Sequence, residues 1–145
     1  MNAWHPNDTL LLDYAAGGLA EAMSVLVASH LALCPACRRA VDGMDAIGGA
    51  LLATLPQAEV AEGALDRMLA RLDELPAPNP PAPSFEPETL RVLPAPLRAY
   101  IGRNLAEIEW RRLLPGIEHY KLALGDGGEP GATAELLRFR PGAKV

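Results

Sequence analysis

Four side chains of this 145-residue chain have the types and spacing to hold one metal ion: His5, His30, Cys34 and Cys37. The last three read H-x3-C-x2-C. On a helix, residues i and i+4 share a face, so His30 and Cys34 can reach the same ion. Cys37 adds a second thiolate from the first turn of the next helix, where the N-terminal dipole favours thiolate over thiol. Three ligands leave one corner of a tetrahedron open. A structural zinc takes four nitrogen or sulfur ligands at about 2.0–2.3 Å. His5 is the candidate for the fourth, if the N-terminal segment folds against the second helix. Two thiolates also cancel the charge of Zn2+, which makes the site cheap to bury.

Cys34-Pro35-Ala36-Cys37 has two further readings, a reversible dithiol switch and a pair of inert helix cysteines. A thioredoxin-like C-x-x-C follows a strand and opens a helix within a βαβ unit. Here it follows a helical pattern, and no strand pattern lies nearby. A lone C-x-x-C would not separate these readings. A histidine four residues before it and a second one upstream favour the metal. His5 by itself is also compatible with a solvated side chain near a terminus.

The elements that must position these residues are helical. Asn7 or Asp8 can cap a first helix through Leu10, Leu11, Leu12 and Tyr14, stopped by Gly17-Gly18. Met23, Leu26, Val27, His30, Leu31 and Cys34 follow the stripe of an amphipathic second helix. Pro35 suits the first turn of a third, carrying Val41, Met44, Ile47, Leu51 and Leu52 as far as Pro56. A fourth, roughly residues 59–75, sets Leu65, Met68, Leu69 and Leu72 on one face. That stripe is either a docking surface for a partner, helix in groove, or the face that packs on the rest of the bundle.

Eight of the 21 residues from Pro76 to Pro96 are proline, which predicts a semi-rigid extended linker between residues 1–75 and 97–145. Beyond it, residues 97–105 read as a helical turn. Trp110–Leu113, Tyr120–Leu124 and Thr133–Phe139, with a glycine-rich turn at Gly125–Gly131, read as the opening hairpin of a β-structure. Two or three strands are marginal alone, so this part reads as an incomplete β segment. The expected class is mainly α: a small zinc-stabilised bundle, a linker, then the start of a β domain.

Composition narrows the function. The net charge is -5, and residues 1–75 hold ten acidic against four basic side chains. Such a surface opposes phosphate contacts and argues against direct nucleic-acid binding. It suits a basic protein partner, or simply keeps a helical domain in solution. The start Met1-Asn2-Ala3-Trp4-His5 has no export pattern, and the longest weakly apolar run, Ala46–Leu55, is too short to cross a bilayer. The expected location is cytoplasmic, with no membrane partner. No complete metal or nucleophile–base constellation lies beyond residue 76, so no enzymatic activity is expected.

At His5, Asp13-Tyr14-Ala15-Ala16-Gly17, His30-x3-Cys34-x2-Cys37 and Asp45-Ala46-Ile47-Gly48-Gly49, the sequence resembles the zinc-binding anti-sigma domain family, in its ChrR-type branch. The resemblance implies a helical bundle that binds an extracytoplasmic-function sigma factor and blocks the surfaces that contact RNA polymerase. It also implies sigma release in response to singlet oxygen, through a following cupin barrel. Tyr100-Ile101-Gly102-Arg103, Ile108-x-Trp110-Arg111 and Arg138-Phe139-x-Pro141-Gly142 resemble the approach to that barrel and its first strands. The His-x-His motif of the family's cupin metal site would fall after Val145, which makes the chain read as truncated. His119, the only histidine of this half, reads as a satisfied or solvated surface residue.

Overall fold

Asn7 starts the first helix as its N-cap, its side-chain oxygen accepting from Leu10 N–H at 2.8 Å. The computed structural model describes residues 4–74, 84–125 and 132–143. Among them the elements are α1 (Asp8–Ala15), α2 (Glu21–Leu33), α3 (Pro35–Ala53), α4 (Ala64–Asp73), α5 (Pro87–Val92), α6 (Ala95–Ile101) and a 3-10 turn (Leu105–Glu107). The strands β1 (Arg111–Leu114), β2 (Ile117–Lys121) and β3 (Glu135–Phe139) follow. Helix therefore dominates, with one small antiparallel sheet of order β1-β2-β3. No described helix is long and apolar enough to cross a membrane.

Two hydrophobic clusters hold these elements. Leu11, Val27, Leu31, Cys37 and Val41 form the first, between α1, α2 and α3. Val25, Leu93, Ile101, Ile108 and Leu122 form the second. The single stripe expected on α2 is therefore corrected. Leu26 is 61% exposed, whereas Val25 and Val27 are both buried. A one-faced stripe presumes neighbours on one side, but α2 packs on α1 and α3 with one face and on α6 with another. A helix buried on two sides is apolar on two sides.

Proline behaves differently from expectation around residue 87. Residues 76–83 of the proline-rich stretch lie outside the described residues, as do residues 126–131 of the glycine-rich turn. The part from Pro87 to Val92 is helical, not extended, because Pro87 occupies the first turn, where no N–H is needed. This helix is tied to the 3-10 turn by side chains. Asn104 Oδ1 accepts from Glu86 N–H at 2.9 Å, and Thr89 Oγ1 accepts from Leu105 N–H at 2.8 Å. Thr89 is fully buried, so Thr89→Val would orphan the Leu105 N–H at unchanged shape. The expected cost is about 1–3 kcal/mol, seen as a lower midpoint in urea unfolding.

The fourth helix starts at Ala64, later than expected, because Gly63 takes a left-handed φ of 69° that a continuing helix cannot include. The hairpin expectation holds in kind, with an additional short connection. Pro115-Gly116 joins β1 to β2, Gly116 at φ 79°. Across the sheet, Glu118 accepts from Arg138 Nε at 2.8 Å.

Candidate metal centre

Three elements converge on the four candidate ligands. His30 sits in the last turn of α2, and Cys37 in the first turn of α3. Cys34 is the joint between them. It is at once the C-cap of α2 and the N-cap of α3, extended at φ -108° and ψ 103°, so the chain turns sharply at a ligand. Pro35 in the first turn of α3 keeps the two helices separate there. His5 arrives from the extended segment before α1, whose exit angle is set by the Asn7 cap and by α1 packing on α3.

The resulting geometry is tight. His5 Nδ1 lies 3.2 Å from Cys37 Sγ and 3.5 Å from Cys34 Sγ, and His30 Nε2 lies 3.3 Å from Cys37 Sγ. One ligand atom from each residue falls within 4.8 Å of all the others. In a tetrahedral site with the usual zinc bond lengths, neighbouring ligand atoms stand about 3.3–3.8 Å apart. The three nitrogen–sulfur separations of 3.2–3.5 Å are close to the edges of such a tetrahedron. Two imidazoles and two thiols are also a donor set suited to zinc, so the residues present fit such an ion. The rings of His5 and His30 stand edge to face, 5.6 Å between centroids, which keeps both nitrogens pointed inward without a clash.

The surroundings hold the joint in place. Arg38 Nη1 donates to the carbonyls of Leu31 at 2.6 Å and Ala32 at 3.2 Å. These belong to the last turn of α2, whose carbonyls otherwise lack partners. The same arginine contributes to the environment of Cys34. That thiol is held below its ordinary pKa, first by the Cys37 backbone N–H, then by the Cys37 side chain, the Ala36 N–H and the Arg38 charge. Cys37 is pushed the other way, chiefly by burial and then by Cys34. One thiol is thus primed for ionisation while its partner resists it until a cation arrives.

A pH dependence follows. Metal binding releases the thiol protons, so apparent affinity falls as pH falls. Between about pH 7 and pH 8, where the two thiols set the dependence, the loss should lie between one and two powers of ten per pH unit. The lowered Cys34 pKa reduces its share of that slope, and the raised Cys37 pKa extends the loss to higher pH. Competition with a chromophoric chelator from pH 6 to pH 8 measures it; a flat profile would exclude thiolate ligation.

The other candidate residues fall elsewhere. Leu65, Met68, Leu69 and Leu72 lie on α4, each about half to two-thirds exposed. His119 is paired across the sheet, its Nδ1 2.8 Å from Glu135 Oε2, the satisfied surface histidine that its isolation in the sequence suggested. Arg38 as the clamp of the helix joint escapes the sequence reading; its place directly after Cys37 is the available sign.

Residues 8–38, which include three of the four clustered residues, match a family described as a putative zinc-finger. Over 141 residues the chain is 40% identical to the anti-sigma-E factor ChrR of Cereibacter sphaeroides. This chain is similar to ChrR. The similarity to ChrR runs over 97% of this chain and 62% of ChrR, so the chain spans about three-fifths of that protein's length. Among solved structures, the crystal structure of Rhodobacter sphaeroides SigE in complex with the anti-sigma ChrR is similar, with a TM-score of 0.71 and 36% identity. That likeness covers 94% of this chain and 65% of the solved one. It therefore extends well beyond the zinc-finger segment, through α4 and into the strands.

Proposed function

We propose that this chain is an anti-sigma factor that sequesters an extracytoplasmic-function sigma factor. The observation that carries this reading is the similarity to ChrR along nearly the whole chain, with a solved relative described as a complex with SigE. In this reading His5, His30, Cys34 and Cys37 bind Zn2+ as a structural ion. It fixes the angle between the N-terminal segment, α2 and α3, and it performs no reaction. In so small a bundle, zinc supplies much of the folding free energy, of the order of 10 kcal/mol of apparent binding energy.

The contact surface is α4. Leu65, Met68, Leu69 and Leu72 present an apolar face that is largely exposed among the described residues, which supports docking into a sigma-factor groove over packing on the bundle. The acidic charge of residues 1–75 complements a partner whose own targets are polymerase and DNA. Residues 1–75 form the zinc-binding anti-sigma domain and residues 97–145 a cupin-like part; of residues 76–96 between them, α5 and Leu93 pack with the cupin-like part. The chain acts in the cytoplasm, contacts neither nucleic acid nor membrane directly, and serves a stress response of the singlet-oxygen type.

The test is transcription from a promoter dependent on the cognate sigma factor, with purified polymerase. Zinc-loaded chain added in equimolar amount should silence that promoter and leave a housekeeping promoter untouched. Undiminished transcription would refute sequestration.

A further inference from the structure

Both hydrophobic clusters are carried by α2. Val27 and Leu31 sink into the cluster of Leu11, Cys37 and Val41, beside the metal centre. Val25 lies two residues earlier and about 200° around the helix axis. It is 4% exposed, sunk among Leu93, Ile101, Ile108 and Leu122. At the first turn, Glu21 Oε1 accepts a hydrogen bond of 2.8 Å from the Tyr100 hydroxyl on α6. The same carboxylate lies against Gly125, where an added Cβ would come within 3.4 Å of Oε2. At the other end of α2, five residues after Val25, stands His30 with its Nε2 turned to Cys37.

We propose that the unit built from α5, α6 and the sheet is latched to α2 by Tyr100, Glu21 and Val25, and that this latch is energetically coupled to the metal centre. The proposal rests on the reading of His5, His30, Cys34 and Cys37 as a metal centre. Its physical basis is the cooperativity of a short helix. Thirteen residues form a marginal helix in isolation, so α2 depends on what holds its two ends. Ligation of His30 orders the last turns, and the latch orders the first. Each lowers the conformational cost that the other must meet, and the coupling is reciprocal. Metal occupancy is thereby felt at α6, and an event that loosens α6 is felt at the zinc.

Hydrogen exchange and zinc transfer on the full chain test both directions. Removing zinc with a chelator should lower protection of the α6 amides at least about fivefold, together with those of α2. Tyr100→Phe keeps the ring in place and removes the hydrogen bond; it should speed zinc transfer to a chromophoric chelator about fivefold. Glu21→Gln, which retains an acceptor for Tyr100, should fall between this variant and the parent. Unchanged α6 protection while α2 loses its own, or transfer from Tyr100→Phe at the parental rate, would overturn the coupling. If Tyr100→Phe does not fold, exchange on the parent chain decides alone. A purified chain without stoichiometric zinc would instead overturn the metal reading, which distinguishes the two failures.

Discussion

Cys37→Ser should abolish stoichiometric zinc and, with it, sigma binding. Cys37 is the buried member of the site, its sulfur within 3.3 Å of both histidines. Serine offers a hydroxyl that does not ionise at neutral pH, and a hard oxygen where zinc prefers sulfur. The loss is that of a structural zinc, of the order of 10 kcal/mol in apparent terms, against a net stability of about 5–15 kcal/mol for an ordinary domain. The bundle of α1 to α3 should therefore lose most of its cooperative unfolding transition, and metal analysis should return well under one zinc per chain. Asn7→Ala is the matched control. It removes a cap worth about 1 kcal/mol that also helps to aim His5, so it should lower stability and weaken zinc only modestly, with stoichiometric zinc and partner binding retained. A Cys37→Ser variant that inhibits sigma at full strength without zinc would remove the structural role assigned to the ion.

Leu69→Glu should do the reverse, sparing the fold and destroying the interaction. The side chain is 49% exposed on α4, and substitutions on an exposed helix face usually stay within about 0.5 kcal/mol. Zinc content and the unfolding midpoint should match the parent chain. In a complex where this stripe fills a groove, a buried carboxylate at its centre should cost about 2–4 kcal/mol. That is a loss of roughly 30- to 1,000-fold in affinity for the sigma factor, measured by titration calorimetry. Binding unchanged by Leu69→Glu would move the interface off α4.

The metal centre is the most legible part of the sequence because its chemistry is local. H-x3-C-x2-C places three donors within a turn or two of one another whatever the rest of the chain does. His5 is legible as a residue type, but its approach to Cys37 depends on the Asn7 cap and on α1 packing against α3. The cap is open to reading at Asn7, but the packing of α1 on α3 leaves no pattern in the sequence around His5. The burial of α2 escapes the sequence for a related reason. Helical periodicity reveals one wet and one dry face, and Val25 is dry only because α6, some 70 residues later, covers it. Proline is ambiguous at residue 87, where its fixed φ serves a helix start as well as a linker. The Pro115-Gly116 turn is open to reading, since a proline followed by a glycine is a strong turn mark, yet the apolar residues around it give no clear alternation. Exposure of the α4 stripe leaves no sequence signal at all: an amphipathic helix shows that it has an apolar face, not what covers it.

The most direct test of sequestration is co-expression of this chain with the extracytoplasmic-function sigma factor of its own cell, followed by purification through a tag on the sigma factor. The account predicts a complex of one chain, one sigma factor and one zinc ion that stays together in size-exclusion chromatography and excludes core polymerase. A sigma factor that elutes free of the chain, or one that binds the chain and polymerase at once, would contradict it.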